Sequence, residues 1–210
     1  MINEETFYSV MRVLRENIND PERLDDIMDS FSANQRECKM HLLDLIDELA
    51  IIDEESNVVI WGSWYGSIFT PNLAPKVKSI ACMDMDQDAI DIAIGLFHNL
   101  ENVDQIVGDI FEKRLSRYSE TDLVINTSCE HMPPLKEHKH LDDFKAGTFF
   151  ALQSNNMFSI DQHTNCVHNL EEFKEQLPKD FKILYSDSIK VPGWEDEDGT
   201  RFTIIAQKIC

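Results

Sequence analysis

Apolar residues recur at helical spacing through the first fifty residues and then condense into short runs, and that change divides the chain. Phe7, Val10, Met11 and Leu14 fall at i, i+3, i+4 and i+7. Leu24, Ile27, Met28 and Phe31 repeat the spacing, as do Leu42, Leu45, Ile46 and Leu49, each set lining one face of an amphipathic helix. Asp20-Pro21 supplies a side-chain cap and a proline at the first helical position, where no N–H is needed. Residues 1–52 therefore read as a helical extension or cap, of the kind that packs over a following sheet.

From Asn57 onward, short apolar runs stand at 57–61, 79–84, 104–107, 122–126 and 147–153, separated by segments able to hold helices. One such helix follows Asp86, with Ile90, Ala93, Ile94 and Phe97 on one face. Strand, helix, strand repeated in this way implies right-handed βαβ units and a parallel sheet. Pro71 and Pro75 predict a short or irregular first crossover helix, and Asn169 with Glu172 caps another near 170–177. FKILYSDSI (181–189) and RFTIIAQKI (201–209) flank a polar turn, PGWEDEDGT, too short to join parallel strands, so they pair antiparallel. The acidic run Glu195–Asp198 within that turn reads as a solvated loop. The fold class is thus α/β: over residues 53–210, a Rossmann-like, mostly parallel sheet ending in an antiparallel hairpin.

The 210 residues can bury one substantial core. No apolar run is long enough to span a bilayer, and MINEETFYSV lacks the basic and apolar regions of a signal peptide. The five cysteines contain no C-x-x-C pair, which suits reduced thiols in a cytoplasmic protein. The formal charge is −20, with 19 basic against 39 acidic residues. Phosphate binding draws on clustered Lys and Arg, so nucleic acid is disfavoured as a partner and a small molecule or protein is expected.

The stretch "NVVIWGSWYGSIF" (57–69) runs from a strand into a turn with glycines at Gly62 and Gly66. Ligands of open α/β sheets bind beyond the carboxyl ends of the strands. Asp84 closes the second strand about 20 residues further on, where dinucleotide folds place the acid that meets a ribose. Asp109 follows the third strand. A pyrophosphate, however, needs G-x-G-x-x-G, so that backbone can approach it closely. Trp64 stands at the second glycine position, and the P-loop pattern is absent. A nucleoside with a cationic centre and no phosphates fits this loop and its acidic surroundings, and S-adenosylmethionine is such a molecule.

On these residues the region from about 57 to 209 resembles the class I S-adenosylmethionine-dependent methyltransferase superfamily. "VVIWGSWYG" is similar to its glycine-rich first motif, "IACMDMD" to its second, "VGDIF" to its third and "DLVINTSCEHM" to its fourth. The resemblance implies a seven-stranded sheet of order 3-2-1-4-5-7-6 with the last strand antiparallel. It also implies S-adenosyl-L-methionine as cofactor. Gly62, Ser63, Trp64, Tyr65 and Gly66 would enclose its methionine end, Asp84 and Met85 its ribose, and Asp109 and Ile110 its adenine, with Asn126 beside the reacting methyl. Two positions depart from the family's usual pattern: Ile60, where an acid is common inside the first strand, and Trp64, where glycine is usual. They leave open a nucleoside-binding regulatory subunit that has lost catalysis.

Polar residues cluster where the fourth and fifth strands end. Methyl transfer requires positioning and desolvation, and a base only when the acceptor must shed a proton. Glu130 and His131 are the candidates for that base, against the plainer reading that they form loop hydrogen bonds. Ser128, Cys129, Gln153, Asn155 and Asn156 are candidates for holding the acceptor, although asparagine also simply favours turns. Five histidines (131, 138, 140, 163 and 168) with Cys129, Glu130 and Cys166 lie close in sequence. Because H-x-x-C-x-H at 163–168 matches no established zinc pattern and His138-Lys-His140 reads as an exposed charged stretch, no metal is assigned. A metal-assisted enzyme using the 129–168 cluster stays as an alternative.

Overall fold

The computed structural model describes residues 4–191 and 199–210, so the acidic run Glu195–Asp198 lies outside the described residues. Three helices come first: α1 (Glu4–Glu16), α2 (Pro21–Asp29) and α3 (Ala33–Glu48). The Asp20 carboxylate accepts from the Arg23 N–H and Pro21 opens α2, as the cap and proline predict. Seven strands follow: β1 (Asn57–Trp61), β2 (Ser79–Asp84), β3 (Val103–Val107), β4 (Leu123–Asn126), β5 (Phe149–Asn155), β6 (Phe181–Val191) and β7 (Gly199–Lys208). They form one sheet of order β3-β2-β1-β4-β5-β7-β6. β1 to β5 pair in parallel, and β7 runs antiparallel to both β5 and β6.

Strand alternation sends successive side chains to opposite faces. Val58 and Ile60 of β1 pack with Ile80, Cys82, Leu123 and Ile125 beneath Leu42, Leu43 and Ile46 of α3 and Phe69 and Leu73 of α4 (Phe69–Leu73). Val59 and Trp61 face the other way, into an aromatic core with Tyr118, Phe144, Phe150 and Phe173. Only five residues of α4 are helical, consistent with the two prolines. α5 (Gln87–Phe97) makes the second crossover, capped by the Asp86 carboxylate on the N–H groups of Asp88 and Ala89.

The later crossovers differ from the sequence expectation of helices. Residues 108–121 and 127–148 hold only short 3-10 turns. Pro133 and Pro134 remove two donors from the second segment. Bulky rings fill the layer instead: Trp61 stacks on His138 at 4.6 Å and meets Phe144 and Phe150 edge-on. α6 (Leu170–Lys174) is shorter than the predicted 170–177. No described helix is long and apolar enough to cross a membrane.

Candidate active site

The turn after β1 takes left-handed backbone at Gly62 (φ 59°), Trp64 (φ 48°) and Gly66 (φ 63°). At Gly62 a side chain would press against Ser128 Cβ and Met132 Cε, each 3.1 Å from where its Cβ would lie. Trp64 adopts the glycine-like conformation while carrying an indole, at a cost of about 1–2 kcal/mol for an L residue. The Asp84 carboxylate holds this turn in place: Trp64 N–H donates to Oδ2 at 2.7 Å, and Asp86 N–H donates to Oδ1 at 3.0 Å. Each oxygen keeps a lone pair for an outside hydroxyl, and the side chain is half-exposed. Ser63 Oγ is buried without a partner.

The neighbouring positions divide. Tyr65 is fully enclosed among Val13, Ile27 and Phe97 and accepts a hydrogen bond from Arg23 of α2 at 3.0 Å; burial pushes its phenol pKa up. Trp64 packs against the same cluster, 4.7 Å from the Tyr65 ring. Met85 is 74% exposed. Asp109 is exposed and accepts from Phe111 N–H, while Ile110 is buried. Ile110 lines a crevice with Trp61, Phe111, Asn126, Cys129 and Leu152.

At the carboxyl ends of β4 and β5 the residues read as acceptor candidates join a largely buried polar network. Asn126 Oδ1 accepts from Ser128 N–H, and Ser128 Oγ donates to the Gly62 carbonyl. Glu130 is buried, and its Oε1 accepts from Asn155 Nδ2 and Arg201 Nη1, both at 2.7 Å. The antiparallel register that sets Asn155 opposite Arg201 brings these groups together. Gln153 is buried and donates to the Cys38 carbonyl and to Thr203 Oγ1. Asn156 accepts from Thr200 N–H. Cys129 is buried and its thiol pKa is pushed up by desolvation, which keeps it protonated. His131 is exposed, its Nδ1 against the Gln162 carbonyl and its ring edge-on to His163 at 4.6 Å.

The histidines of the 129–168 interval separate in space. His138 is buried against Trp61 and Phe111, not exposed as its charged neighbours suggested, because the stacking in the aromatic layer needs a flat ring there. His168 stacks on Phe158. His163 alone joins Glu130 and His131: a carboxylate oxygen and one ring nitrogen from each histidine lie within 4.8 Å of one another. Beside them Cys166 has its thiol raised to about 11 by burial, with the Glu130 charge adding to the effect.

No family sequence model matches this chain, and no curated protein sequence does. Solved structures do match. N-methyltransferase NodS from Bradyrhizobium japonicum WM9, in complex with S-adenosyl-L-homocysteine, superposes with a TM-score of 0.65 at 17% identity, covering 98% of this chain and 99% of that one. The chain has the class I methyltransferase fold. Geranyl diphosphate C-methyltransferase from Streptomyces coelicolor A3(2), solved with Mg2+, geranyl-S-thiolodiphosphate and S-adenosyl-L-homocysteine, gives 0.63 at 12% identity over 81% and 76% of the two chains. A SAM-dependent methyltransferase from Methanosarcina mazei gives 0.60 at 15% over 76% and 95%.

Within the class I fold, the residues at the ends of β1 and β2 fit a nucleoside: left-handed turn, half-exposed Asp84 carboxylate with spare lone pairs, and an orphaned Ser63 hydroxyl. Sequence reasoning did not select Arg201, Arg23 or Lys39. Lys39 lies beside the Arg201–Glu130 pair, and desolvation, with Arg201 adding repulsion, draws its ammonium down to about 8. The available signal for Arg201 was a lone cation opening the apolar run of β7.

Proposed function

We propose that this chain is an S-adenosylmethionine-dependent methyltransferase acting on a small molecule or a protein side chain. The observation that carries this reading is the Asp84 carboxylate, fastened to the left-handed turn and presented at the end of β2, in a fold whose neighbours were solved with S-adenosylhomocysteine. When bound, the cofactor supplies an electrophilic methyl on a sulfonium. Asp84 holds the ribose hydroxyls, Asp109 and Ile110 flank the adenine, and the Gly62–Gly66 turn with the free Ser63 hydroxyl encloses the methionine end. Ser128, bridged to Gly62, ties the acceptor side to the cofactor turn. The N-terminal helices, reaching the turn through Arg23, wall the methionine end. His131, exposed with Nε2 free, takes the proton from a protic acceptor; Glu130, held by Arg201 and Asn155, keeps the surrounding loop in place. The acidic surface favours uncharged or cationic acceptors over nucleic acid.

Calorimetric titration with S-adenosylhomocysteine tests the cofactor site. Asp84→Ala should weaken binding at least about tenfold, since a hydrogen bond to a charged group contributes about 1.5–3 kcal/mol. Asp84→Asn keeps an oxygen for Trp64 N–H, so a loss there reports the missing charge and not a collapsed turn. A folded protein with no affinity for either nucleoside would sink the reading; mass-detected transfer of a methyl to an acceptor would establish catalysis.

A further inference from the structure

Glu130 and His131 lie in the turn after β4 and His163 in the long segment after β5, two separate places, yet the three converge on one point. Both histidine Nδ1 atoms face backbone carbonyls: His131 toward Gln162 O at 3.1 Å and His163 toward Met157 O at 3.0 Å. A carbonyl oxygen only accepts, so each Nδ1 carries the proton and each Nε2 is left with its lone pair free. This is how proteins fix the tautomer and aim of a metal-ligating imidazole. Glu130 is prepared in the same sense. Asn155 and Arg201 both occupy Oε1, while Oε2 is buried with no partner in a side chain only 3% exposed. An unpaired carboxylate oxygen in such a place is costly unless something uses it.

We propose that Glu130 Oε2, His131 Nε2 and His163 Nε2 form a site for one divalent cation of the zinc, cobalt or nickel type. Two imidazoles and a carboxylate select such borderline ions over magnesium or calcium, which prefer oxygen alone. One carboxylate oxygen of Glu130 and one ring nitrogen of each histidine lie within 4.8 Å of one another, wider than the roughly 3.4 Å between tetrahedral ligands at zinc distances. Binding an ion requires the ligands to draw together, and the exposed His131 ring can pivot about its hydrogen bond to Gln162. Arg201 takes part of the Glu130 charge but from the opposite oxygen, so it orients the ligand as an outer partner does. Three protein ligands leave at least one position open. On the methyltransferase reading, and only on it, that position takes an oxygen or nitrogen of the acceptor. With an ion bound, His131 would be a ligand and no longer the base; the ion would lower the pKa of a coordinated O–H or N–H, and the proton released would pass to solvent.

Chelator-treated protein titrated with Co2+ should develop a visible d–d band saturating at one equivalent, and excess Zn2+ should bleach it. His131→Ala and His163→Ala, each verified as folded by its thermal transition, should weaken binding by about 10- to 100-fold or more. Azide should shift the band by occupying the open position. If wild type and both variants bind Co2+ alike, the ion sits on surface carboxylates and the proposal is overturned; a band unmoved by azide overturns the open position. Calorimetry with S-adenosylhomocysteine on the same samples separates the two questions: metal without nucleoside binding leaves this site standing and removes the methyltransferase reading, and the converse removes this site alone.

Discussion

Trp64 shows how much one side chain can be made to tolerate. Its left-handed backbone is imposed by Asp84, which grips its N–H at 2.7 Å, and the indole is retained because it packs beside Tyr65. Trp64→Ala and Trp64→Gly both lose that ring, but only glycine is at ease at φ 48°. The glycine variant should therefore be the more stable of the two by about 1 kcal/mol, read from urea midpoints; equal midpoints would mean that the turn relaxes once the indole is gone. Gly62 and Asp84 were legible in the sequence as a turn glycine and a strand-end acid, and the structure places them at the ends of β1 and β2. Glu130 was legible as an important residue but not in its circumstances. Its partner Arg201 is brought to it by the pairing of Asn155 with Arg201, and no local pattern encodes that register. His163 was visible as part of a short H-x-x-C-x-H run, yet its companions lie across the fold and not along the run.

Among the elements, the strands followed from their short apolar runs and the final antiparallel pair from turn length, the sheet order from the family resemblance, whereas the crossovers after β3 and β4 were not legible. Apolar spacing there was ambiguous, and the filling of that face by Trp61, Tyr118, Phe144 and Phe150 is a tertiary solution that no helical stripe announces. α2 is the element most dependent on one side chain. Arg23 donates to Tyr65 at 3.0 Å, to Asp86 at 3.3 Å and to Asp88 at 3.2 Å, linking α2 to the turn after β1 and to the start of α5. Arg23→Ala should cost about 1–2 kcal/mol and, more tellingly, speed amide hydrogen exchange across 20–31 while leaving β1 and β2 protected. Loss of protection throughout the sheet would show that α2 does not open as a unit.

For the whole molecule, the −20 charge and the buried imidazole of His138 act in opposite directions as acid is added: protonation relieves the self-repulsion of the carboxylates, while His138 resists it. Burial holds His138 neutral, with its pKa lowered from 6.5 to about 4, and neighbouring His140 adds to the effect. Between those values the unfolded chain takes up a proton that the folded one refuses, so stability falls as pH drops from 6.5 toward 4. The limit is about 3 kcal/mol. His138→Phe keeps a ring against Trp61 and removes the titration. Urea midpoints measured from pH 7 to 4 should fall less steeply for the variant than for wild type, and parallel curves would place the acid sensitivity elsewhere. The sheet order has a consequence for biosynthesis. β7 follows every other strand in the chain yet lies between β5 and β6, and it brings Arg201 to Glu130. Until residue 201 has been translated, Glu130 has no guanidinium beside it. The turn after β1 and the Asp84 that clasps it are complete within the first 84 residues, so during synthesis these groups emerge long before the partner that Glu130 depends on.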